Sequence, residues 1–271
     1  MRSLIVNADD LGWTGGVNRG IAEAHRNGIV TSASLLANGG AFEDAVKTAG
    51  QIRSLLNEEG EFSGGPENLL LRLTAGRIDP REVETEWDAQ IRKVRAAGIR
   101  PTHLDGHKHV QMLPGLFGVA LRLAKKHGIE ALRVSHEASP LRTALSDGSP
   151  STGLILKQGV EARGLKLLAP DARQMAERAG IATTDYFCGV AQTGVLTKTG
   201  LRRLLENLPE GTTELMCHPG YADEDLKRSN TRLQQSRQAE LGILTDPEIR
   251  QSVADLAIRL ISYGSMGVAG S

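Results

Sequence analysis

"SLIVNADDLGWTGGVNRGIAEAHRNG", residues 3–28, decides the reading of the fold. The apolar run from Ser3 to Ala8 closes on two aspartates and a glycine, as a short buried strand does. From Gly16 the apolar residues return at helical spacing and stop at Gly28, so a helix follows the strand. The same alternation continues down the chain. A strand is predicted over 29–38 and its helix over 41–50, then a long amphipathic helix over 82–98 that feeds a histidine-rich strand. Helix 115–127 leads to strand 131–135, helix 171–180 to strand 183–190 and helix 199–207 to strand 213–218, with a last helix over 246–261. Six units in one register predict an α/β fold, either a parallel barrel or a doubly wound sheet. Residues 139–165, with Pro140, Gly148, Pro150 and Gly153, break the rhythm and read as a long loop over one end. No repeat or linker splits the chain, so a single domain over 1–271 is expected.

The composition narrows the partners. At 271 residues and 40% hydrophobic, the chain can bury a large core. Its 32 basic residues balance 32 acidic ones, so no field draws nucleic acid or an anionic membrane, and the substrate is expected to be neutral or locally recognised. The opening apolar run is too short for a signal peptide, and no stretch approaches the ~20 apolar residues of a membrane span; a cytoplasmic protein is expected. Cys188 and Cys217 form no CxxC pair and sit in strand-like runs, which reads as reduced core thiols.

Chemistry concentrates in "RPTHLDGHKHVQMLPG", residues 100–115, where His103, Asp105, His107 and His109 recur at every second position. In an extended strand these four would leave on one face, with Leu104, Gly106 and Lys108 on the other. Pro101 and Gly106 make a helix the poorer reading. Asp9 and Asp10 follow the first strand, and Cys217-His218-Pro219-Gly220 ends another. In a parallel barrel such strand ends meet on the face where active sites are built. Any one of these residues alone reads equally well as a helix cap, a strand end or a packed histidine. Two carboxylates and up to four imidazoles at one face instead point to a metal or acid–base site, since buried charges demand partners. Such donors suit Zn, Mn, Co or Mg, and an ion with few protein ligands leaves room for a water that becomes the nucleophile.

These stretches carry a resemblance. "LIVNADDLG", "GIVTSASLLANG", "RPTHLDGHKHV" and "ELMCHPG" resemble the corresponding motifs of the YdjC-like carbohydrate deacetylases, which include chitooligosaccharide deacetylases and hopanoid-biosynthesis-associated members. The likeness runs nearly end to end. It implies a TIM-like β/α barrel and a divalent-metal-dependent hydrolase, with Mg or Zn as the ion, that removes an N-acetyl group from a small amino sugar or glycoconjugate. It implies Asp9 as general base, Asp10 and His107 as metal ligands, and His218 as an acid or oxyanion partner. His103, Asp105 and His109 become secondary or substrate-binding groups. Arg133 either orients a carboxylate or is a surface arginine. Aromatic residues are only 3% of the chain, and Trp13 and Tyr221 are the candidate sugar walls, with packing under loops as the alternative.

The chain departs from the family pattern twice. A GxHxxL strand, whose histidine is a further metal ligand, is absent after the second helix, so a barrel with one strand missing after residue 50 is expected. Gln111 also stands where the family's THLDxHxHVH ending has a histidine, and it is a poor ligand for these ions. Two rival readings stay open: a metallophosphoesterase on a similar barrel, and a catalytically weakened sugar-binding or scaffold protein. A small acetylated sugar is the expected partner, nucleic acid and a membrane span are not, and monomer and homodimer both stay open.

Overall fold

The computed structural model describes residues 1–50, 57–59, 79–137, 168–229 and 231–268. Strand β1 (Arg2–Leu11) lies at the centre, with eight of its ten residues buried. Helix α1 (Gly15–Asn27) starts where Thr14 accepts the Val17 N–H, and its buried face of Val17, Ile21, Ala22 and Ala24 packs on β1. Then come β2 (Ser32–Leu36), α2 (Phe42–Gly50), β3 (Asn57–Glu59) and α3 (Pro80–Ala96), the last capped by Asp79 with proline in its first turn. The histidine region gives β4 (His103–Leu104) and a 3₁₀ turn (His107–Met112), followed by α4 (Leu116–His127) and β5 (Ala131–Leu132). Helix α5 covers 168–179. Next are β6 (Tyr186–Cys188), α6 (Lys198–Glu206), β7 (Gly211–Cys217), α7 (Glu224–Arg228), α8 (Gln235–Leu244), α9 (Pro247–Asp255), β8 (Arg259–Leu260) and a closing 3₁₀ turn (Tyr263–Val268).

The strands form one parallel sheet in the order β5-β4-β3-β2-β1-β7-β6, with β8 also pairing β1. Two isolated parallel bridges, Ala131 to Ala182 and Glu137 to Phe187, link the β5 side to the β6 side. Apolar side chains of β1 and β2 pack under α1, α2, α6, α8 and α9, while a second cluster joins α3, α4 and α5 beneath β4 and β5. The α/β alternation and parallel pairing are as the sequence predicts. Cys188 and Cys217 are free thiols, half-buried and buried. No helix among the described residues is long and apolar enough to cross a membrane.

Three expectations need correction. No gap opens after residue 50: Glu58 pairs with Leu35 of β2 and with Leu104 of β4. Two strand edges left unpaired would each expose a row of unmet N–H and C=O groups, and a short segment without histidine fills the place. The histidine strand ends at Leu104, because Lys108 and His109 take left-handed backbone (φ 53° and 59°) inside a tight turn; the four polar groups therefore do not share a strand face. The predicted helix over 246–261 stops at Asp255, where Ala257 (φ 49°) turns the chain into β8. Helices α7 and α8 escape the sequence reading because α7 has five residues and the apolar residues of α8 bunch at its C-terminal end. The expected loop over 139–165 lies outside the described residues.

Candidate active site at the strand ends

Asp9 and Asp10 are neighbours at the end of β1 and face different partners. Asp9 meets Arg133, which follows β5: the guanidinium Nη1 and Nη2 donate to the two carboxylate oxygens at 2.9 and 2.7 Å. Asn7 Nδ2 adds a bond at 2.8 Å and also donates to Ser34. Arg133 is fully buried, so the surface alternative for it does not hold. It also contacts Asp105 at 2.5 Å and Glu214 of β7 at 2.7 Å, one cation facing three carboxylates. Burial pushes the Asp9 carboxyl up, but the charge and hydrogen bonds of Arg133 outweigh it and hold Asp9 below the ordinary carboxylate range.

Asp10 has left-handed backbone (φ 71°), a conformation aspartate tolerates better than most residues. The flip aims its side chain away from Asp9, at His107 and Arg237. His107 Nδ1 lies 3.1 Å from Asp10 Oδ1, and Arg237 Nη2 donates a short hydrogen bond to Oδ2. Burial raises the Asp10 carboxyl, yet Arg237 and His107 pull it far below the ordinary range. Trp13 sits beside this pair, its ring 5.5 Å from His107 with the Arg237 guanidinium 5.6 Å from its centre. Asp10, Lys108 and His109 are three of the four non-glycine residues with positive φ among the described residues. Strain of this kind, roughly 1–3 kcal/mol per residue, persists where surrounding structure over-determines it and gathers at functional sites.

His218 follows β7. Glu240 accepts its backbone N–H at 2.6 Å, and its Nδ1 is buried with no hydrogen-bond partner among the described residues. The turn after it approaches α1 closely: a Cβ on Gly20 would lie 2.5 Å from the Gly220 Cα, so only glycine lets this turn seat there. Tyr221, next in line, is half-buried, and its hydroxyl donates a short bond to Glu23 of α1.

The other histidines go elsewhere. His103 is fully buried and stacks on Tyr263 at 3.7 Å; burial holds it well below its ordinary value. His109 is bonded to Ser135 at 2.8 Å and lies edge-on to Phe187, and burial brings it down to about 3. Asp105 accepts from Ser34 and Arg133. Gln111 Oε1 accepts the Gly106 N–H at 2.9 Å, clasping the turn that carries His107. Sequence reasoning did not single out Glu214, Arg237, Glu240 or Tyr263. A charged residue inside the apolar run "TELMCH" was a readable signal for Glu214, whereas nothing distinguishes Arg237 from the other basic residues.

For a divalent ion the donors brought together are Asp10 Oδ1 and His107 Nδ1. No group of three His, Cys, Asp or Glu side chains arranged for a metal is found among the described residues. A carboxylate oxygen beside an imidazole nitrogen nevertheless fits a divalent ion that keeps open positions. The arginine on the second carboxylate oxygen is the outer hydrogen bond that ligating carboxylates commonly have.

The chain is similar to carbohydrate deacetylases along nearly its whole length. It is 32% identical to a carbohydrate deacetylase of Geobacillus stearothermophilus, covering 97% of each chain. It is 30% identical to one of Brevibacillus brevis over 286 residues, a span longer than this chain, so that relative carries residues with no counterpart here. It is 30% identical to a chitooligosaccharide deacetylase of Klebsiella pneumoniae, covering 97% of this chain and 98% of that one. Among solved structures, a protein from Enterococcus faecalis described as a cellobiose-phosphate cleavage protein superposes with a TM-score of 0.72 at 27% identity, covering 98% of each chain. The profile of YdjC-like proteins matches residues 3–255, and the chain belongs to that family.

Proposed function

We propose that this chain is a hydrolase that removes the N-acetyl group from a small amino sugar or glycoconjugate. One observation carries the reading: Asp9 and Asp10, adjacent in sequence, are turned to separate partners, with His107 and His218 beside them. Relatives named carbohydrate deacetylase and chitooligosaccharide deacetylase supply the substrate class.

Asp9 acts as general base, kept ionised and oriented by Arg133, and takes the proton of the attacking water. His218 offers Nδ1, which has no hydrogen-bond partner among the described residues, to the developing oxyanion or the departing amine. Asp10 and His107 would hold a divalent ion, Mg or Zn, which when bound polarises a carbonyl and lowers the pKa of a water. Arg237 keeps Asp10 ionised and fixed for that task. A cavity of about 400 Å³ beside Trp13, lined by Asn38, Gly39, Asp225 and Ser229, has the size and mixed lining to receive a sugar ring. Tyr221, His103, Asp105 and His109 support the site from behind.

The two isolated bridges between the segments around β5 and β6, and the reach of Arg133 from just after β5 to both β1 and β7, support closure of the sheet into a TIM-like barrel. We take residues 1–271 as one domain acting in the cytoplasm, alone or as a homodimer. A weakened, sugar-binding relative is the second reading, favoured by β3 having Asn57, Glu58 and Glu59 and no histidine.

The test is acetate release from N-acetylglucosamine and its oligomers. Asp9→Asn should lower turnover by about 10²- to 10⁴-fold while leaving affinity for added Mg or Zn within a few-fold; equal turnover would remove Asp9 from the mechanism. Calorimetry should find the ion bound weakly. Replacing Asn57-Glu58-Glu59 of β3 by a histidine-bearing segment should tighten it by at least the ~10- to 100-fold that outer hydrogen bonds alone contribute. Tight binding without that replacement would show that two protein ligands suffice.

A further inference from the structure

Behind Asp9 and Arg133 lies a chain of buried contacts that runs through Glu214 and Tyr263. Arg133 Nε donates to Glu214 Oε1 at 2.9 Å. The other oxygen of Glu214 accepts the Tyr263 hydroxyl at 2.5 Å, and the Tyr263 ring lies flat on His103 at 3.7 Å, tilted by 10°. Tyr263 is itself fixed by its backbone N–H, which donates to Ser32 at 3.1 Å. All five side chains are within a few per cent of complete burial. A guanidinium has one flat fork for Asp9, and its rotation about the Nε bond decides whether that fork meets both oxygens. Glu214 grips Nε and thereby sets the rotation.

We infer that Glu214, held by Tyr263 from the C-terminal turn, is a positioning residue for Asp9: it locks the Arg133 guanidinium so that both Asp9 oxygens are engaged and the carboxylate is aimed at the substrate water. This rests on Asp9 being the base. His103, read from sequence as part of the site, acts in this arrangement as the flat support of Tyr263. The 3₁₀ turn Tyr263–Val268 thereby takes part in the active site without touching substrate.

The decisive comparison is between Glu214→Leu, which removes the grip on Nε, and Glu214→Gln, which keeps an oxygen there. With N-acetylglucosamine oligomers as probe, Glu214→Leu should lower kcat by up to ~10²-fold with KM within twofold, the cost of a base held in the wrong orientation. Glu214→Gln should recover most of that loss. In an Asp9→Asn background Glu214→Leu should cost nothing further, because the residue it positions is gone. Independently of turnover, the Arg133 Nε–H resonance should be protected from solvent exchange in the unmodified protein and in Glu214→Gln, and unprotected in Glu214→Leu. If Glu214→Leu fails to fold, Tyr263→Phe serves in its place, with a smaller kcat loss that again vanishes with Asp9→Asn. A folded variant with unchanged kcat, a loss that persists without Asp9, or a protected Nε–H in Glu214→Leu would each overturn the inference. Full turnover in Asp9→Asn alone would instead sink the general-base reading, leaving the exchange measurement to decide whether Glu214 holds Arg133.

Discussion

Arg133 and Asp88 are mirror images. In the interior one guanidinium faces three carboxylates, Asp9, Asp105 and Glu214. On the outer helices one carboxylate faces two cations and an imidazole: Asp88 of α3 accepts from Lys126 and His127 of α4 at 2.7 Å each, and from Arg92 one turn along at 2.9 Å. The partners differ in what surrounds them. Arg133 and its acids have side-chain exposures of 9% or less, while Arg92 and Lys126 are 64% and 59% exposed. Water can replace a lost partner in the second network and cannot in the first. Equal counts of polar partners therefore carry different weights, and only the sealed network fixes geometry tightly enough to serve chemistry.

Removing the hub should show the contrast at its largest. Arg133→Met leaves three acids facing one another without a counter-charge, and should cost about 3–5 kcal/mol of unfolding free energy, the range for breaking a buried pair. Urea denaturation at pH 7 measures it. A loss below about 1 kcal/mol would mean that the acids take up protons or water easily, and that the network is not sealed.

The pH dependence sharpens the comparison, because Glu214 in the first network and Asp88 in the second contribute with opposite slopes. Burial, largely offset by Arg133 and Tyr263, leaves the Glu214 carboxyl raised to about 7. A carboxyl that is a weaker acid in the folded protein than in the unfolded chain favours folding while protonated, so its contribution is full below about pH 4.5 and is lost as pH rises through 7. Glu214→Gln should abolish that fall. Between pH 5 and 8 the difference in stability between variant and parent should change by about 2–3 kcal/mol at most, from the linkage of 1.36 kcal/mol per pKa unit. A flat difference curve would show that Glu214 is ionised throughout.

How much of this was legible beforehand follows the same division. The strand ends were readable because apolar runs closing on charged residues have a fixed meaning: Asp9, Asp10 and His218 fall at strand ends of one parallel sheet. The histidine run misled because alternation suggests a strand, whereas left-handed backbone at Lys108 and His109 is a choice of tertiary structure that no local pattern records. His103 and His107 thus separate, one to a ring stack in the core and the other to Asp10. Likewise, the third strand could not be foreseen from Asn57-Glu58-Glu59, which has little strand propensity; it pairs because β2 and β4 present open edges. Arg237 reaches Asp10 across more than two hundred residues of chain, and a helix sequence gives no hint of it.

The smallest effect belongs to Asp88, and its smallness is the point. Lys126 and His127 hold its carboxyl down at about 2 through hydrogen bonds, against a slight opposing push from burial. A carboxyl that is a stronger acid in the folded state stabilises it while ionised, so the contribution is present above about pH 4 and is lost as pH falls towards 2. Two cations and an imidazole around one carboxylate would be worth several kcal/mol if sealed from water. With two of them more than half exposed, solvent and salt screen the attraction, and Asp88→Asn at pH 7 should cost no more than about 1 kcal/mol. The cost should shrink in 1 M salt, where screening acts within ~3 Å, and should vanish below pH 2, while turnover stays at the parental value. A salt-independent loss of 3 kcal/mol or more would place Asp88 in the same class as Arg133 and remove the distinction between the two networks.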